Sequence, residues 1–212
     1  MNQDQRLPVR LNPVVHVDLA DFVRRQFRSA DLDRNYGSSN LFLPVKNIEI
    51  KARCEDLQAM RDRLRDQGVS LTRRIRQVDT YFNVPHGRLK LREIDDSEAQ
   101  LIQYHRPDVE GARESDYIVV PVIDPQSSKE ALNRALGVRV VVEKVREVYR
   151  WDHTRVHLDE VKELGTFIEL ETVITDQTLR EARSECDRIQ RALGIGREAV
   201  VLVSYADLLE QV

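Results

Sequence analysis

The segment from Lys46 to Arg53 reads Lys-Asn-Ile-Glu-Ile-Lys-Ala-Arg, in which polar and apolar residues alternate. Successive side chains of a β-strand point to opposite faces, so a strand here would carry Glu49, Lys51 and Arg53 on one face. The same alternation recurs in later segments, where the charged residues are Arg88, Lys90, Arg92, Lys144, Arg146, Glu169 and Glu171. The pattern predicts a sheet with one charged face and one apolar face.

Basic residues form the larger part of this charged face. Cations held together in a confined space repel one another, so they need a highly charged anionic ligand. A triphosphate is such a ligand, because Arg can bind its oxygens with forked hydrogen bonds and Lys with a point charge. The residues predicted to bind phosphate are Lys51, Arg53, Lys90, Arg92, Arg106, Lys144 and Arg146, with Arg88, Arg150 and Arg155 as further candidates. The alternative is that these side chains are solvated on exposed strands.

Acidic residues on the same face indicate a metal site. Mg²⁺ and Mn²⁺ take oxygen ligands from carboxylates, phosphates and water, so carboxylates beside bound phosphates are useful when a cation lies between them. The predicted metal ligands are Glu49, Asp159, Glu169 and Glu171, and Glu114 is a further candidate. The alternative is that these carboxylates only form ion pairs with the arginines.

The histidines are weaker candidates for metal ligands than the carboxylates. His153 and His157 are four residues apart, which on a strand corresponds to ~13 Å and is too far for one metal ion. We therefore interpret the histidines as surface or structural residues. The sequence also has neither a Gly-rich phosphate loop nor a Ser-His-Asp set, so any phosphate chemistry would depend on basic side chains.

The composition argues against several classes of protein. The 212 residues include 33 Lys and Arg and 36 Asp and Glu, for a net charge of −3, which argues against a protein that coats nucleic acid. Cys54 and Cys186 have no metal-like spacing and are interpreted as reduced thiols. The sequence contains neither a recognisable signal peptide nor an apolar run of ~20 residues. We expect a cytoplasmic protein with neither nucleic-acid nor membrane partners.

Residues 1–45 differ from the remainder of the chain. Pro8 and Pro13 interrupt the start, a short helix is predicted over 18–29, and 34–40 has the composition of a linker. We predict that 1–45 is an N-terminal arm and linker, and that 46–212 is the main domain. The arm would pack on the domain or on a partner subunit in a homodimer, and the alternative is that it is partly disordered.

The main domain is predicted to contain eight strands and four helices. The predicted strands are 46–53, 71–82, 87–94, 98–106, 114–122, 138–151, 153–161 and 165–174. The predicted helices are 55–67, 127–137, 178–193 and 204–210, with Ser127 or Ser128 as the cap of the second.

Eight antiparallel strands can close into a barrel, and the predicted fold class is an α+β eight-stranded antiparallel β-barrel with a charged interior. The apolar face would then point outward and need the helices as cover. The helix residues predicted to supply that cover are Leu57, Met60, Leu64, Leu132, Leu136, Ile189 and Leu193. The alternative is an open sheet with its charges in water, and the number of charged positions favours the barrel.

Several short segments, in order, resemble the CYTH superfamily, which is named after class IV adenylyl cyclases and thiamine triphosphatases. The first strand resembles the signature Glu-x-Glu-x-Lys of that family. The other matching segments are Gln77-Val-Asp-Thr-Tyr-Phe82, Gly87-Arg-Leu-Lys-Leu-Arg92, Tyr104-His-Arg-Pro107, Val142-Glu-Lys-Val-Arg-Glu147, His157-Leu-Asp-Glu-Val161, Gly165-Thr-Phe-Ile-Glu-Leu-Glu171 and Ser204-Tyr-Ala-Asp-Leu-Leu209. Together they cover about residues 46–210.

The resemblance implies a triphosphate tunnel that uses Mg²⁺ or Mn²⁺. By position, it assigns Glu49, Glu169 and Glu171 to metals, and Asp159 to the metals or to orienting the nucleophile. The residues that it assigns to phosphates are Lys51, Lys90, Arg92, Arg106, Lys144 and Arg146. Lys51 and Asp159 are the residues assigned to catalysis. One position departs from the signature, because Asn47 stands where the family has its first Glu. Asn offers a carbonyl oxygen but no charge, which predicts weaker metal binding there.

Two reactions fit such a site. The first expectation is a class IV adenylyl cyclase reaction, which converts ATP to cyclic AMP and pyrophosphate. The first alternative is a triphosphatase that hydrolyses inorganic triphosphate or an organic one such as thiamine triphosphate. The second alternative is a protein that binds phosphate ligands without catalysis.

Overall fold

The computed structural model describes residues 45–105 and 113–212. Eight strands run through these residues, with bounds close to the predicted ones. They are β1 (Val45–Arg53), β2 (Leu71–Phe82), β3 (Arg88–Ile94), β4 (Glu98–His105), β5 (Arg113–Pro121), β6 (Val138–Trp151), β7 (Thr154–Val161) and β8 (Gly165–Val173). The predicted N-terminal arm lies outside the described residues except for Val45, its last residue, which instead begins β1.

The strands form a closed barrel in the order β1-β5-β4-β3-β2-β6-β7-β8, and β1 pairs with both β5 and β8. Every pairing is antiparallel. This confirms the predicted α+β barrel. In the β2–β3 hairpin, Gly87 has a φ of +66°, and a Cβ atom there would lie 2.7 Å from the carbonyl oxygen of Tyr104. The tight approach of this turn to β4 therefore requires glycine.

The main apolar core lies outside the barrel, between the strands and two helices. The outward residues Ile48 and Ala52 of β1 and Leu170 of β8 are fully buried, and Leu158 of β7 is nearly so. Four helices cover parts of the strands: α1 (Leu57–Asp66), α2 (Pro125–Leu136), α3 (Leu179–Ala192) and α4 (Tyr205–Leu209). Of the seven predicted covering residues, Leu57, Met60, Leu64, Ile189 and Leu193 belong to this core, and Leu132 and Leu136 are half-buried on α2.

The helix starts follow their capping residues. Thr178 and Ser204 form capping boxes at α3 and α4. The predicted cap of α2 was wrong, because Asp124 caps this helix and accepts a hydrogen bond from the backbone N–H of Ser127 at 3.0 Å. Pro125 occupies the first turn, where a missing N–H costs nothing, so α2 starts two residues earlier than predicted.

One end of the barrel is closed by α4. Tyr205 and Ala206 are buried against Phe167, Val142 and Tyr81, which are residues of the strands. The Tyr205 ring meets Phe167 edge to face with centroids 4.9 Å apart. None of the helices in the described part of the chain is long and apolar enough to span a membrane.

Candidate triphosphate-binding site

Strand register brings the charged residues together inside the barrel. Residues paired directly across neighbouring strands share a face, so the pairs Lys51–Glu169, Arg146–Asp159 and Asp79–Arg92 all point inward. Lys51, Lys144, Arg146 and Asp159 are buried, each with at most 6 % of its surface exposed. Burial of so many charges is stable only when each has a partner, and each of these does.

Adjacent strands β3, β2 and β6 carry most of the interior cations, which we call the cationic wall (Lys90, Arg92, Lys144 and Arg146). Asp79 is the only acidic partner that Lys90 and Arg92 have among the described residues. The Arg92 guanidinium donates to both Asp79 oxygens at 2.8 and 2.9 Å, and Lys90 Nζ donates to Oδ2 at 2.9 Å. Burial together with the neighbouring charge of Arg92 lowers the pKa of Lys90 to about 7.

Adjacent strands β7, β8 and β1 carry the carboxylates, which we call the carboxylate wall (Asp159, Glu169, Glu171 and Glu49). Asp159 accepts from Arg146 Nε at 2.6 Å, Arg146 Nη2 at 2.5 Å and the Tyr205 hydroxyl at 2.9 Å. Glu169 pairs with Lys51 Nζ at 3.1 Å and with Arg146. Burial would raise the pKa of both carboxyls, but the charges of these cations hold both below their usual range.

The remaining pair of carboxylates lies toward the other end of the same wall. Glu49 and Glu171 are directly opposite each other on β1 and β8. Glu171 Oε1 accepts from Asn47 Nδ2 at 2.6 Å and pairs with Arg155 Nη2 at 3.0 Å. We call these four residues the Glu171 corner (Asn47, Glu49, Arg155 and Glu171). Glu49 and Glu171 bring two carboxylates to one corner, and carboxylate oxygens are ligands that Mg²⁺ takes in proteins.

A model of the CYTH domain matches residues 46–205, which is most of the chain. The chain belongs to the CYTH domain family. Its match to the family covers all eight strands and reaches the start of α4.

Relatives of this CYTH chain include cyclase-like and triphosphatase-like proteins. A protein of Methanocaldococcus jannaschii, provisionally named an adenylate cyclase, is 25% identical over 169 residues, which are 76% of this chain and 97% of the relative. A solved structure from Pyrococcus horikoshii has a TM-score of 0.67 and 25% identity, and covers 76% of this chain and 98% of its own. A Hippeastrum protein, described as a provisional adenylyl cyclase with dominant triphosphatase activity, has a TM-score of 0.58 at 19% identity, over 78% of this chain and 95% of its own.

Most of the predicted site residues converge in the interior of this CYTH barrel. Arg53 does not, because its side chain is exposed at the α4 end, where it donates to the carbonyl of Leu164 at 3.3 Å. Arg88 is half-buried at the same end and pairs with Asp207 of α4 at 2.8 Å. Arg106 and the side chain of Glu114 lie outside the described residues.

Three interior residues were missed by the sequence analysis. Asp79 pairs with the cationic wall, and its motif segment carried no assigned role. His157 was interpreted as a surface or structural histidine and was not assigned to the site; it is buried with Nδ1 3.8 Å from Glu169 Oε2. It lies two residues before Asp159, so period-two alternation could have placed it on the same face. Tyr205 was missed because its role depends on α4 packing across the barrel end, which no local pattern reveals.

The donor set fits a divalent cation that arrives with phosphate. Among the described residues, no three His, Cys, Asp or Glu side chains already converge as a complete metal cage. Mg²⁺ is usually held by one or two carboxylates together with substrate phosphates, so a complete cage is not required. Asn47 Oδ1 is buried and accepts no hydrogen bond from the residues that the structure describes, which leaves one oxygen donor available beside Glu171. The oxygens of the Glu171 corner therefore fit a hard divalent ion.

Proposed function

We propose that this chain is a divalent-metal-dependent enzyme that acts on a triphosphate, with ATP cyclisation as its first candidate reaction. The observation that carries the proposal is the division of the barrel interior into a cationic wall and a carboxylate wall on separate sets of adjacent strands. A metal–triphosphate complex carries charge of both signs and matches such an interior. A ligand that carries charge of only one sign would need only a surface of the opposite sign.

The cationic wall would hold the phosphate oxygens. Lys90 and Arg92 share the single carboxylate of Asp79, so the charge of this group of three is positive before any ligand binds. Lys144 lies between Asp159 at 3.5 Å and the face of the Tyr205 ring at 4.9 Å. Arg146 is already fixed by two carboxylates, and such a positioned guanidinium can stabilise developing phosphate charge without reorganising.

The carboxylate wall would hold Mg²⁺ or Mn²⁺ through Glu49, Glu171 and the Asn47 carbonyl, with Glu169 and Asp159 nearby. When bound, the metal would neutralise phosphate charge and polarise the reacting oxygens. Lys51 is fixed between Glu169 and the Tyr205 ring at 4.1 Å, where it can bind a phosphate oxygen. Asp159 is held ionised and in one orientation by Arg146 and Tyr205, which suits a carboxylate that orients the attacking hydroxyl.

A cavity beside the cationic wall favours a nucleotide substrate. It has a volume of about 280 Å³ and is lined by Tyr81, Phe82, Asn83, Arg88 and Arg139, among others. The Tyr81 hydroxyl lies 3.3 Å from Lys90 Nζ, so the cavity adjoins the predicted phosphate site. Space of this kind next to a phosphate site can hold the nucleoside of ATP, which the cyclase reaction requires.

The second candidate is a triphosphatase. It is favoured by the triphosphatase activity described for the Hippeastrum protein that shares this fold. The same interior would serve, with a water molecule in place of the ribose hydroxyl.

Incubation with ATP, inorganic triphosphate and thiamine triphosphate, each with Mg²⁺ or Mn²⁺, tests the proposal. Cyclic AMP and pyrophosphate identify the cyclase, and orthophosphate without cyclic AMP identifies the triphosphatase. Tight binding of all three compounds without product supports a non-catalytic binder. The matched variants are Lys144→Met in the barrel and Lys129→Met on α2, where Lys129 pairs only with Glu93 among the described residues. Absence of both binding and turnover in the parent would refute the proposal.

A further inference from the structure

Glu171 of the carboxylate wall has Asn47 and Arg155 as partners, which lie beside it on the neighbouring strands β1 and β7. Its Oε1 atom receives both the Asn47 amide at 2.6 Å and the Arg155 guanidinium at 3.0 Å. Arg155 pairs directly with Glu171 in the β7–β8 register, so the contact is built into the strand pairing. The carboxylate that faces Glu49 is thus already neutralised within the protein.

The charge of this corner is low for a metal site. Glu49 and Glu171 contribute two negative charges, Arg155 contributes one positive charge and Asn47 contributes none. A Glu at position 47, as in the family signature that this strand resembles, would add a negative charge next to Glu171. Both Asn47 and Arg155 therefore reduce the attraction of the corner for a divalent cation.

Arg155 is also more exposed than Arg92 and Arg146, the interior arginines of the cationic wall. Its side chain is 35 % exposed, whereas that of Arg146 is 8 % exposed and is fixed by two carboxylates. An arginine with one side open to solvent can leave its carboxylate at modest cost, because water replaces the lost contact. A stronger anion that enters the barrel can also attract it.

We propose that Arg155 is a resident cation that competes with divalent metal for Glu171, so that metal binds weakly to the free protein and tightly only together with triphosphate. The proposal rests on the metal-dependent function proposed above and adds an order of binding to it. Arg155 and Asn47 would thereby set the metal affinity of this chain.

Binding of Mn²⁺ without nucleotide, measured by electron paramagnetic resonance or calorimetry, tests this directly. Arg155→Gln should bind Mn²⁺ about tenfold more tightly than the parent, because a unit charge beside a divalent ion is removed. Arg188→Gln is the matched control, since Arg188 on α3 pairs with Asp152 outside the barrel and its loss changes net charge equally. This control should bind Mn²⁺ as the parent does.

Thermal unfolding separates competition from a merely structural role. Arg155→Gln should unfold at a lower temperature than the parent without metal, because Glu171 loses its cationic partner. Saturating Mn²⁺ should restore most of the difference, since the metal takes the place of the guanidinium. If the difference is the same with and without Mn²⁺, Arg155 is structural and the proposal fails.

Asn47→Glu keeps the test decisive should Arg155→Gln not fold. This variant adds charge at the same corner, and its Mn²⁺ affinity should also rise about tenfold. Parent-like affinity in either folded variant would overturn the inference. The proposed function is tested separately, by product formation from each triphosphate with the parent protein. Failure of the proposed function can therefore be distinguished from failure of the inference about Arg155.

Discussion

The two walls of the barrel interior use the same residue types in opposite proportions. On the cationic wall, one carboxylate, Asp79, serves both Lys90 and Arg92. On the carboxylate wall, Asp159 and Glu169 together receive Lys51, Lys144 and Arg146, and Glu171 receives Arg155. The cationic wall therefore has positive charge that an anion can neutralise. On the carboxylate wall, a bound metal would have to share the carboxylates with their present cationic partners or displace those partners. The comparison shows that internal ion pairs neutralise much of the buried charge in the ligand-free protein, and that ligands would replace some of these pairs.

The largest effect should come from disrupting the carboxylate wall at its centre. Glu169→Gln removes the partner of Lys51 and Arg146, and we expect turnover to fall by about 100-fold or more because both cations lose their fixed positions. Steady-state kinetics with saturating Mg²⁺ or Mn²⁺ measures this. Glu160→Gln, on the exposed face of β7, is the control and should retain activity. Retention of metal-dependent turnover in Glu169→Gln would remove Glu169 from the site.

The next effect concerns the single acid of the cationic wall. Asp79→Asn leaves Lys90 and Arg92 buried without a carboxylate, which should lower the free energy of unfolding by about 3 kcal/mol. Triphosphate should then stabilise the variant more than it stabilises the parent, because the ligand supplies the missing negative charge. Thermal or denaturant unfolding with and without inorganic triphosphate checks both signs. An equal ligand-induced shift in both proteins would show that Lys90 and Arg92 do not face the ligand.

The affinity for triphosphate should also depend on pH through Lys90 of the cationic wall. Burial and the charge of Arg92 lower the pKa of Lys90 to about 7, so Lys90 loses its positive charge as pH rises from 6 to 8. Protonated Lys90 binds phosphate better, so the affinity of the parent for inorganic triphosphate should fall over this range, by up to about tenfold per pH unit above 7. Lys90→Arg keeps its charge and should give a flatter profile. Titration of triphosphate itself affects both proteins equally, so parallel profiles would contradict the assignment.

The smallest effect is expected where α4 meets the carboxylate wall. Tyr205→Phe removes the hydrogen bond from the hydroxyl to Asp159 at 2.9 Å but keeps the ring contacts with Lys51 and Phe167. We expect a loss of about 1 kcal/mol in the free energy of unfolding and a several-fold fall in turnover. Chemical denaturation and kinetics measure the two. A loss of folding rather than a small shift would indicate that the hydroxyl supports the whole barrel end.

Most of the fold was predictable because alternation and caps are local signals. The bounds of β6 were predicted residue for residue, since its 14 residues are rich in Val and contain neither Gly nor Pro. Closure of the barrel was harder to predict from the sequence, because an open sheet and a barrel have the same alternation. For this strand order they differ only in whether β1 pairs with β8. The family resemblance favoured closure, and the register of Lys51 with Glu169 confirms it.

The site was predictable in its residue types but less so in its pairings. Alternation placed Lys51, Asp159 and Glu169 on one face, and the structure brings them together. It could not show that Asn47 donates to Glu171, or that Arg155 reaches the same oxygen, because both contacts depend on register between strands. Arg53 shares the parity of Lys51, yet as the last residue of β1 it is exposed, because alternation does not determine burial at the end of a strand.

Binding of inorganic triphosphate by calorimetry, with and without Mg²⁺, tests the central claim most directly. We predict one triphosphate bound per chain, tighter binding with Mg²⁺, and loss of most affinity in the double variant Lys90→Gln/Lys144→Gln. The double variant Lys129→Gln/Lys162→Gln, which alters two lysines outside the interior, is the charge-matched control and should bind as the parent does. Equal affinity in both double variants would contradict a triphosphate site inside the barrel.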